Sequence, residues 1–151
     1  MNNKIDDLNW HILKLLQENS RLSLSNIGRK VGLTPPAVAE RVKKMEDLGI
    51  LEGFNAKVSY TLAGYQLKAI ITLRAFMGKL KPFLEMVQKL EEVINCYRIT
   101  GDENIIMEVV LKDQAHLERF IDELIRYGET RTHIILSDVV SDAPIRKLKQ
   151  H

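Results

Sequence analysis

Six lysine and arginine side chains stand close together in one short segment of the chain. They are Arg21, Arg29, Lys30, Arg41, Lys43 and Lys44, and the same segment holds one acidic residue, Glu40. Residues 63–151, by contrast, contain thirteen basic and thirteen acidic side chains, the balanced mixture of a solvated surface. A local excess of about five positive charges suits a polyanion such as a nucleic acid, although a solvated helix face is the alternative explanation.

The basic segment has the pattern of two short amphipathic helices joined by a tight turn. Their inner positions are Leu24, Ile27 and Val31, then Leu33, Val38, Val42 and Met45 or Leu48. Gly32 supplies the turn, Gly28 is small where the helices approach closely, and Thr34 can cap the second helix. Pro35 suits the first helical position, because a missing N–H does no harm there. The pattern predicts a helix-turn-helix whose second helix lies in the major groove of DNA.

Three basic residues of this second helix, Arg41, Lys43 and Lys44, are predicted to point away from its apolar stripe. Arg41 can donate two hydrogen bonds to a guanine, so it is the candidate for base readout. Lys43 and Lys44 are candidates for phosphate contacts, which position a protein on DNA without specifying the sequence. Double-stranded DNA is therefore the predicted partner.

A further helix ahead of the motif and a wing behind it are predicted to complete a small domain. Asp6 or Asp7 can cap the first helix. Its inner positions are Leu8, Ile12, Leu15 and Leu16, with His11 at the edge. Gly49 ends the last helix, and the loose alternation that follows predicts a short two-stranded wing. The wing residues are Ile50, Leu51, Phe54 and Val58. This winged helix-turn-helix domain is assigned residues 1–60.

Residues 61–151 have a different periodicity, which predicts a second domain. Its elements are a strand from Leu67 to Ala75, a helix opened by Pro82, strands VINCYRIT and IIMEVVL around a turn at residues 101–104, a helix followed by Gly128, and a last strand THIILSDVV. The second helix has Leu117, Phe120, Ile121, Leu124 and Ile125 at helical spacing. The order β-α-β-β-α-β is that of a ferredoxin-like domain, with both helices on one face of an antiparallel sheet. The whole chain is thus predicted to be of the α+β class.

The predicted sheet carries apolar residues on the face away from the helices as well. These are Ile70, Ile106, Val110, Ile134 and Leu136. A large exposed apolar sheet promotes aggregation, so this second face is predicted to pack against another copy of the chain.

The remaining polar residues indicate no catalytic site, and we expect no enzyme activity, cofactor or metal. His11, His116, His133 and His151 show no metal-ligand spacing with one another or with Cys96, which is interpreted as a small buried hydrophobic residue. No segment is apolar enough to cross a membrane, so the predicted location is the cytoplasm, at the nucleoid.

These elements together resemble the Lrp/AsnC family, the feast/famine transcriptional regulators. The resemblance rests on DDLNWHILKLLQENSRLSLSNIGRKVGLTPPAVAERVKKMEDLGIL, on YRITGDEN and on THIILSDV, and it covers nearly the whole chain. It implies DNA binding by the first domain. It also implies that the second domain, of the AsnC or RAM type, forms dimers and octamers and senses amino acids or similar metabolites between subunits.

The resemblance also implies site residues. It places Thr34, Pro36, Ala37, Arg41 and Lys44 at the DNA surface, with Arg21 and Ser23 near the DNA backbone. For an effector it implicates Tyr97, Gly101, Asp102, Glu103 and Asn104, with Thr132 and Ser137 as neighbours. Asp102 could accept from the ammonium group of an amino acid, and backbone amides of the turn could donate to its carboxylate. The alternative is that this turn is an ordinary hairpin.

The leading hypothesis is a DNA-binding transcriptional regulator modulated by an amino acid or related metabolite. Two alternatives remain: an enzyme similar to sirohaem decarboxylases, and a sensor or assembly module whose helix-turn-helix contacts protein. Retention of the basic side of the second helix favours DNA binding.

Overall fold

Three helices form the core of the first unit in the computed structural model, which describes residues 5–148. They are α1 (Asp7–Glu18), α2 (Leu24–Val31) and α3 (Pro35–Asp47). Asp6 caps α1 by accepting from the Asn9 N–H at 2.7 Å, and Ser23 caps α2 by accepting from the Asn26 N–H at 3.1 Å. The buried side chains between the helices are Ile12, Leu13, Leu16, Ile27, Val38 and Met45. The predicted helices are confirmed; His151 lies outside the described residues.

The turn between α2 and α3 has the close packing that the two glycines predict. Gly32 has a φ of 73°, a left-handed conformation that ends α2. A Cβ atom on Gly28 would overlap the carbonyl oxygen of Leu33, so this position has no room for a side chain. Thr34 occupies the cap position of α3, but its hydroxyl makes no capping hydrogen bond. Two backbones in direct contact therefore hold α3 at a defined position against α2.

The predicted wing is wrong, because no strand occurs between α3 and residue 67 of the described chain. The backbone N–H groups of Ile50 and Leu51 both donate to the carbonyl oxygen of Met45, at 2.9 and 3.1 Å. They are therefore committed to the end of α3 and cannot pair with a second strand. Phe54 and Val58 are exposed instead of packed.

The first unit also includes a segment from much later in the chain. Its described residues are 5–56 and 140–148, whereas residues 57–139 form the second unit. The Gln17 carboxamide accepts from the Ile145 N–H at 2.7 Å and donates to the Ile145 carbonyl oxygen at 3.1 Å. Lys147 pairs with Asp7 on the same helix. This division differs from the predicted boundaries, 1–60 and 61–151, at residues 57–60 and 140–148.

The second unit is an antiparallel four-stranded sheet with two helices. Its elements are β1 (Leu67–Ala75), α4 (Leu80–Val87), β2 (Val93–Arg98), β3 (Ile105–Leu111), α5 (Gln114–Leu124) and β4 (Gly128–Ile134). The strand order is β2-β3-β1-β4, which confirms the β-α-β-β-α-β prediction. The core includes Ile71 and Met107 from the central strands, with Phe83 from α4 and Phe120 from α5. This face of the sheet is the helix face.

Two helix boundaries differ from the prediction. Pro82 is the third residue of α4, which begins at Leu80. Proline is tolerated in a first turn because the N–H groups there have no intrahelical acceptor. At the other helix, Ile125 lies beyond the end of α5 and is exposed, so it contributes nothing to the core.

The last strand begins and ends earlier than predicted. Gly128 is the first residue of β4 instead of a helix terminator, and it pairs with Ala75. A Cβ atom there would overlap the Arg74 carbonyl oxygen, so the glycine permits this close strand contact. The strand ends at Ile134, which pairs with Ala69 near the start of β1. Beyond that point β1 has few residues left to pair, and Leu136 and Val139 are exposed.

The opposite face of the sheet, the open face, is a mixture of apolar and charged residues. Strand register places Ile70 opposite Glu108, Ile106 opposite Thr72 and Val110 opposite Lys68. Ile134 is the exception to the prediction, because its partner Ala69 belongs to the core on the helix face. Leu136 lies beyond the strand. The prediction is therefore confirmed for Ile70, Ile106 and Val110 and wrong for Ile134 and Leu136, and the face carries charged residues between its apolar ones.

Charged residues on the open face form a connected group. Lys68 Nζ lies 2.7 Å from Glu108 Oε1 and 3.2 Å from Asp138 Oδ1. The Asn95 carboxamide donates to Glu108 at 2.9 Å. The hydrogen bond from Lys68 lowers the pKa of Glu108, and the same contact raises the pKa of Lys68.

Candidate nucleic-acid interface and effector site

The outer surface of α3 is hydrophilic and carries two exposed lysines. Val38 and Met45 are buried on its inner side, whereas Pro36, Lys43 and Lys44 are exposed. Lys43 is 3.9 Å from Asp47 one turn later, and its side chain is 77% exposed. Both lysines can therefore reach phosphates without breaking a buried contact.

Arg41 does not share this outer surface. Its Nη1 lies 2.7 Å from Asp6 Oδ2 and donates to Asn9 Oδ1 at 3.0 Å. The Arg41 hydrogen bond, followed by the Asn9 N–H, lowers the pKa of the Asp6 carboxyl. The prediction that Arg41 points away from the apolar stripe is therefore wrong.

The spacing of the inner residues of α3 explains the orientation of Arg41. It follows Val38 by three positions and precedes Met45 by four, which is the spacing of the buried stripe. A long polar side chain at such a position can be accommodated where a neighbouring helix offers a partner. Asp6 and Asn9 at the start of α1 are those partners; Asp6 was predicted only as a helix cap, and its contact with Arg41 was not predicted.

The other predicted DNA-surface residues lie around the helix-turn-helix. Ser23 is committed to capping α2, although it remains exposed. Arg21, Thr34 and Pro36 are exposed, and Ala37 is half-buried at the start of α3. A groove of about 540 Å³ runs along the turn, with Arg29 and Thr34 in its lining. The structure therefore brings the turn residues together on one unit.

The predicted effector turn is a tightly bonded hairpin between β2 and β3. Gly101 has a φ of 117°, which strongly favours glycine. The Asn104 N–H donates to the Leu73 carbonyl oxygen at 3.0 Å, and its carboxamide oxygen accepts from the Ala75 N–H at 2.7 Å. Asn104 therefore connects the turn to β1, and its carboxamide oxygen is already engaged in a hydrogen bond.

Opposite charges lie next to each other at this turn. Asp102 is exposed, whereas the neighbouring Glu103 forms an ion pair of 3.1 Å with Arg131 on β4. An amino-acid ligand needs an acceptor for its ammonium group and a cation or N–H donors for its carboxylate. Arg131 was missed in the sequence, because its closeness to the turn depends on the pairing of β4 with β1.

Tyr97, Thr132 and Ser137 do not converge within one chain. Tyr97 lies on edge strand β2, opposite Ile106 on the open face. Thr132 lies on the other edge strand, opposite Ile71 on the helix face. Ser137 follows the end of β4, whose first residues lie near the turn. Because β3 and β1 separate the two edges, a site that used all seven predicted residues would need a second chain.

Chemistry other than binding receives no support from the side-chain clusters that are described. His116 pairs with Glu92 at 2.9 Å and accepts from the Lys112 N–H, so this histidine is fully engaged. Partial burial raises the pKa of the Cys96 thiol, which disfavours the reactive thiolate. Within residues 5–148, no three His, Cys, Asp or Glu side chains could share a metal ion. No helix in that range could cross a membrane.

The chain matches the sequence models of two known domains. The AsnC-type helix-turn-helix domain matches residues 5–46, and the Lrp/AsnC ligand binding domain matches residues 68–145. An uncharacterized HTH-type transcriptional regulator of Pyrococcus furiosus is 33% identical over 142 residues, which cover 92% of this chain and 96% of that protein.

Two solved structures have the same fold. The structure of Bacillus subtilis LrpC superposes with a TM-score of 0.87 at 30% identity, covering 91% of this chain and 99% of LrpC. The Mycobacterium tuberculosis leucine response regulatory protein superposes with a TM-score of 0.77 at 26% identity, covering 97% of this chain and 98% of that structure.

Proposed function

The chain belongs to the Lrp/AsnC family of HTH-type transcriptional regulators, and from this premise we propose that it binds specific DNA sites and changes that binding when an effector occupies its second unit. The single observation that carries the DNA-binding part is the exposed pair Lys43 and Lys44 on α3, in a helix-turn-helix fixed by the Gly28 contact. The proposal is of a regulator without catalytic activity, working at the nucleoid in the cytoplasm.

The residues that we propose for DNA binding, either by direct contact or by positioning α3, lie on and around that helix. They are Arg21, Ser23, Thr34, Pro36, Ala37, Arg41, Lys43 and Lys44. Lys43 and Lys44 neutralise phosphates, while the start of α3 enters the major groove. Arg41 contributes to this surface by holding α3 in place from its inner side, as its contacts with Asp6 and Asn9 support.

The proposed effector is an amino acid or a related small metabolite. The matched ligand-binding domain and the solved leucine response regulatory protein support this class. Asp102 accepts from the ammonium group, and the turn amides receive the carboxylate. The proposed site comprises Tyr97, Gly101, Asp102, Glu103, Asn104, Thr132 and Ser137, contributed by more than one chain. A homodimer through the open face, and an octamer built from such dimers, would supply the second chain.

Selection of genomic DNA fragments, with and without a panel of amino acids, tests the function as a whole. We expect the protein to retain a small set of fragments, and we expect one or more amino acids to alter that set. The variant Lys43→Ala with Lys44→Ala should bind more weakly to every fragment and show a flatter dependence on salt. Failure to retain any fragment above a random background at low salt would overturn the proposal.

A further inference from the structure

A recognition helix lies in the major groove with its first turns against the base edges, and two long polar side chains of α3 are neighbours in its second turn. These are Glu40 and Arg41. Arginine is the usual base-reading residue, because it can donate two hydrogen bonds to guanine. In this structure, however, Arg41 donates to both Asp6 and Asn9 on α1. To reach a base, Arg41 would have to give up both of these contacts.

Glu40, unlike Arg41, lies on the outer face of α3. It is exposed, and within the described part of the chain it forms no hydrogen bond or ion pair. Pro36 lies four residues before it and Lys43 three residues after it, so the three residues share the outer face of the helix. Its side chain is therefore free to meet whatever α3 contacts.

The charge of Glu40 restricts what it can contact on DNA. It is the one acidic residue between Arg21 and Lys44, and the phosphates of DNA repel it. The favourable partner for a carboxylate in the major groove is an exposed amino group on a base, and cytosine presents its N4 amino group there. Lys43 and Lys44 beside it neutralise phosphates, which lowers the cost of bringing the carboxylate into the groove.

We propose that Glu40 is the residue of α3 that determines sequence specificity, that it accepts a hydrogen bond from the N4 amino group of a cytosine, and that Arg41 is a positioning residue that reads no base. The proposal rests on the DNA-binding function proposed above. The DNA sites that the protein selects should therefore share one C·G pair, because the Glu40 carboxylate requires its cytosine.

Selection from a random double-stranded DNA library, followed by sequencing, tests the assignment. The full-length parent should enrich a site with an invariant cytosine. Glu40→Gln should change the preference at that position to adenine, because glutamine pairs with adenine through N6 and N7, and should leave the other positions unchanged. Replacing the cytosine by adenine should weaken DNA binding by the parent about 5- to 150-fold but should not weaken DNA binding by Glu40→Gln.

Glu46→Gln is the matched control on the same helix. It removes the same charge from an exposed residue, about 120° around the helix from Glu40. Its selected site should be that of the parent, so a change of preference in Glu40→Gln cannot come from net charge alone.

Each remaining outcome contradicts one proposal or the other. If the parent selects a site and Glu40→Gln selects the same site at every position, Glu40 does not read a base and the specificity assignment fails while DNA binding stands. If Arg41→Lys changes the preference at one position while its thermal unfolding stays that of the parent, Arg41 is the base reader. If the parent enriches no sequence, the proposed function itself fails.

Discussion

Arg41 Nη1 lies 2.7 Å from Asp6 Oδ2, so the middle of α3 is joined to the residue that caps α1. The other oxygen of Asp6 accepts from the Asn9 N–H. The Asp6 carboxylate thus caps α1 and also forms an ion pair with α3. The orientation of α3, the helix that we propose enters the major groove, therefore depends on a contact with the start of α1.

Replacing Arg41 by Ala should lower stability and weaken all DNA sequences alike. The ion pair is partly exposed, so we expect a loss of about 0.5–1 kcal/mol in the free energy of unfolding. Urea unfolding together with titrations on a selected and a scrambled site measures both effects. Lys14→Ala, which removes a cation from an exposed α1 pair with Glu18, is the control and should change neither. A loss confined to the selected site would contradict the positioning role.

Glu108 should make the stability of the protein sensitive to acid. Its pKa is lowered from an ordinary 4.5 by Lys68 and Asn95, so the group stabilises the fold above the ordinary value and loses that contribution as the pH falls through the lowered pKa. Glu108→Gln should cost about 1–3 kcal/mol at pH 7 and less at pH 3. Thermal unfolding at a series of pH values measures this, and an equal loss at both ends would exclude the ion pair as the cause.

Asp102→Ala should separate effector sensing from folding. Asp102 is exposed at the turn, so the fold and ligand-free DNA binding should be unchanged, while the effect of an amino acid on DNA affinity disappears. The coupling must be reciprocal, so DNA should alter ligand affinity in the parent by the same factor, commonly about 5- to 150-fold. Calorimetry with an amino-acid panel provides the measurement, with Asp122→Ala on α5 as the control. Equal ligand affinity in both variants and the parent would place the effector elsewhere.

Ile106 and Ile134 should respond differently to a charge, because the register places them on opposite faces of the sheet. Ile106→Lys puts an unpaired charge on the open face and should dissociate the assembly that we propose there. Ile134→Lys lies on the helix face at a site that is 42% exposed, so its assembly should remain intact. Light scattering gives the mass of each. A parent-like mass for Ile106→Lys would show that the open face is not the interface.

The features predicted correctly from sequence are those set by local pattern. The run IIMEVVL forms β3 with the predicted ends, and α2 ends at Gly32 because a left-handed residue is required there. The errors share a dependence on distant partners. The end of β4 is set by its pairing with β1, and the direction of Arg41 by a carboxylate 35 residues earlier. Likewise, Arg131 lies next to the predicted effector turn because of the register between β4 and β1, which local periodicity does not reveal.

Gln17 and Ile145 lie 128 residues apart, yet they share two hydrogen bonds in the first unit. A ribosome adds about 5–20 residues per second, so α1 would wait roughly 6–26 s in the nascent chain before that partner is made. All of the second unit is synthesised within this interval. The helix-turn-helix would therefore form early in translation, and the sheet would have time to fold next. The segment around Ile145 would cover α1 last.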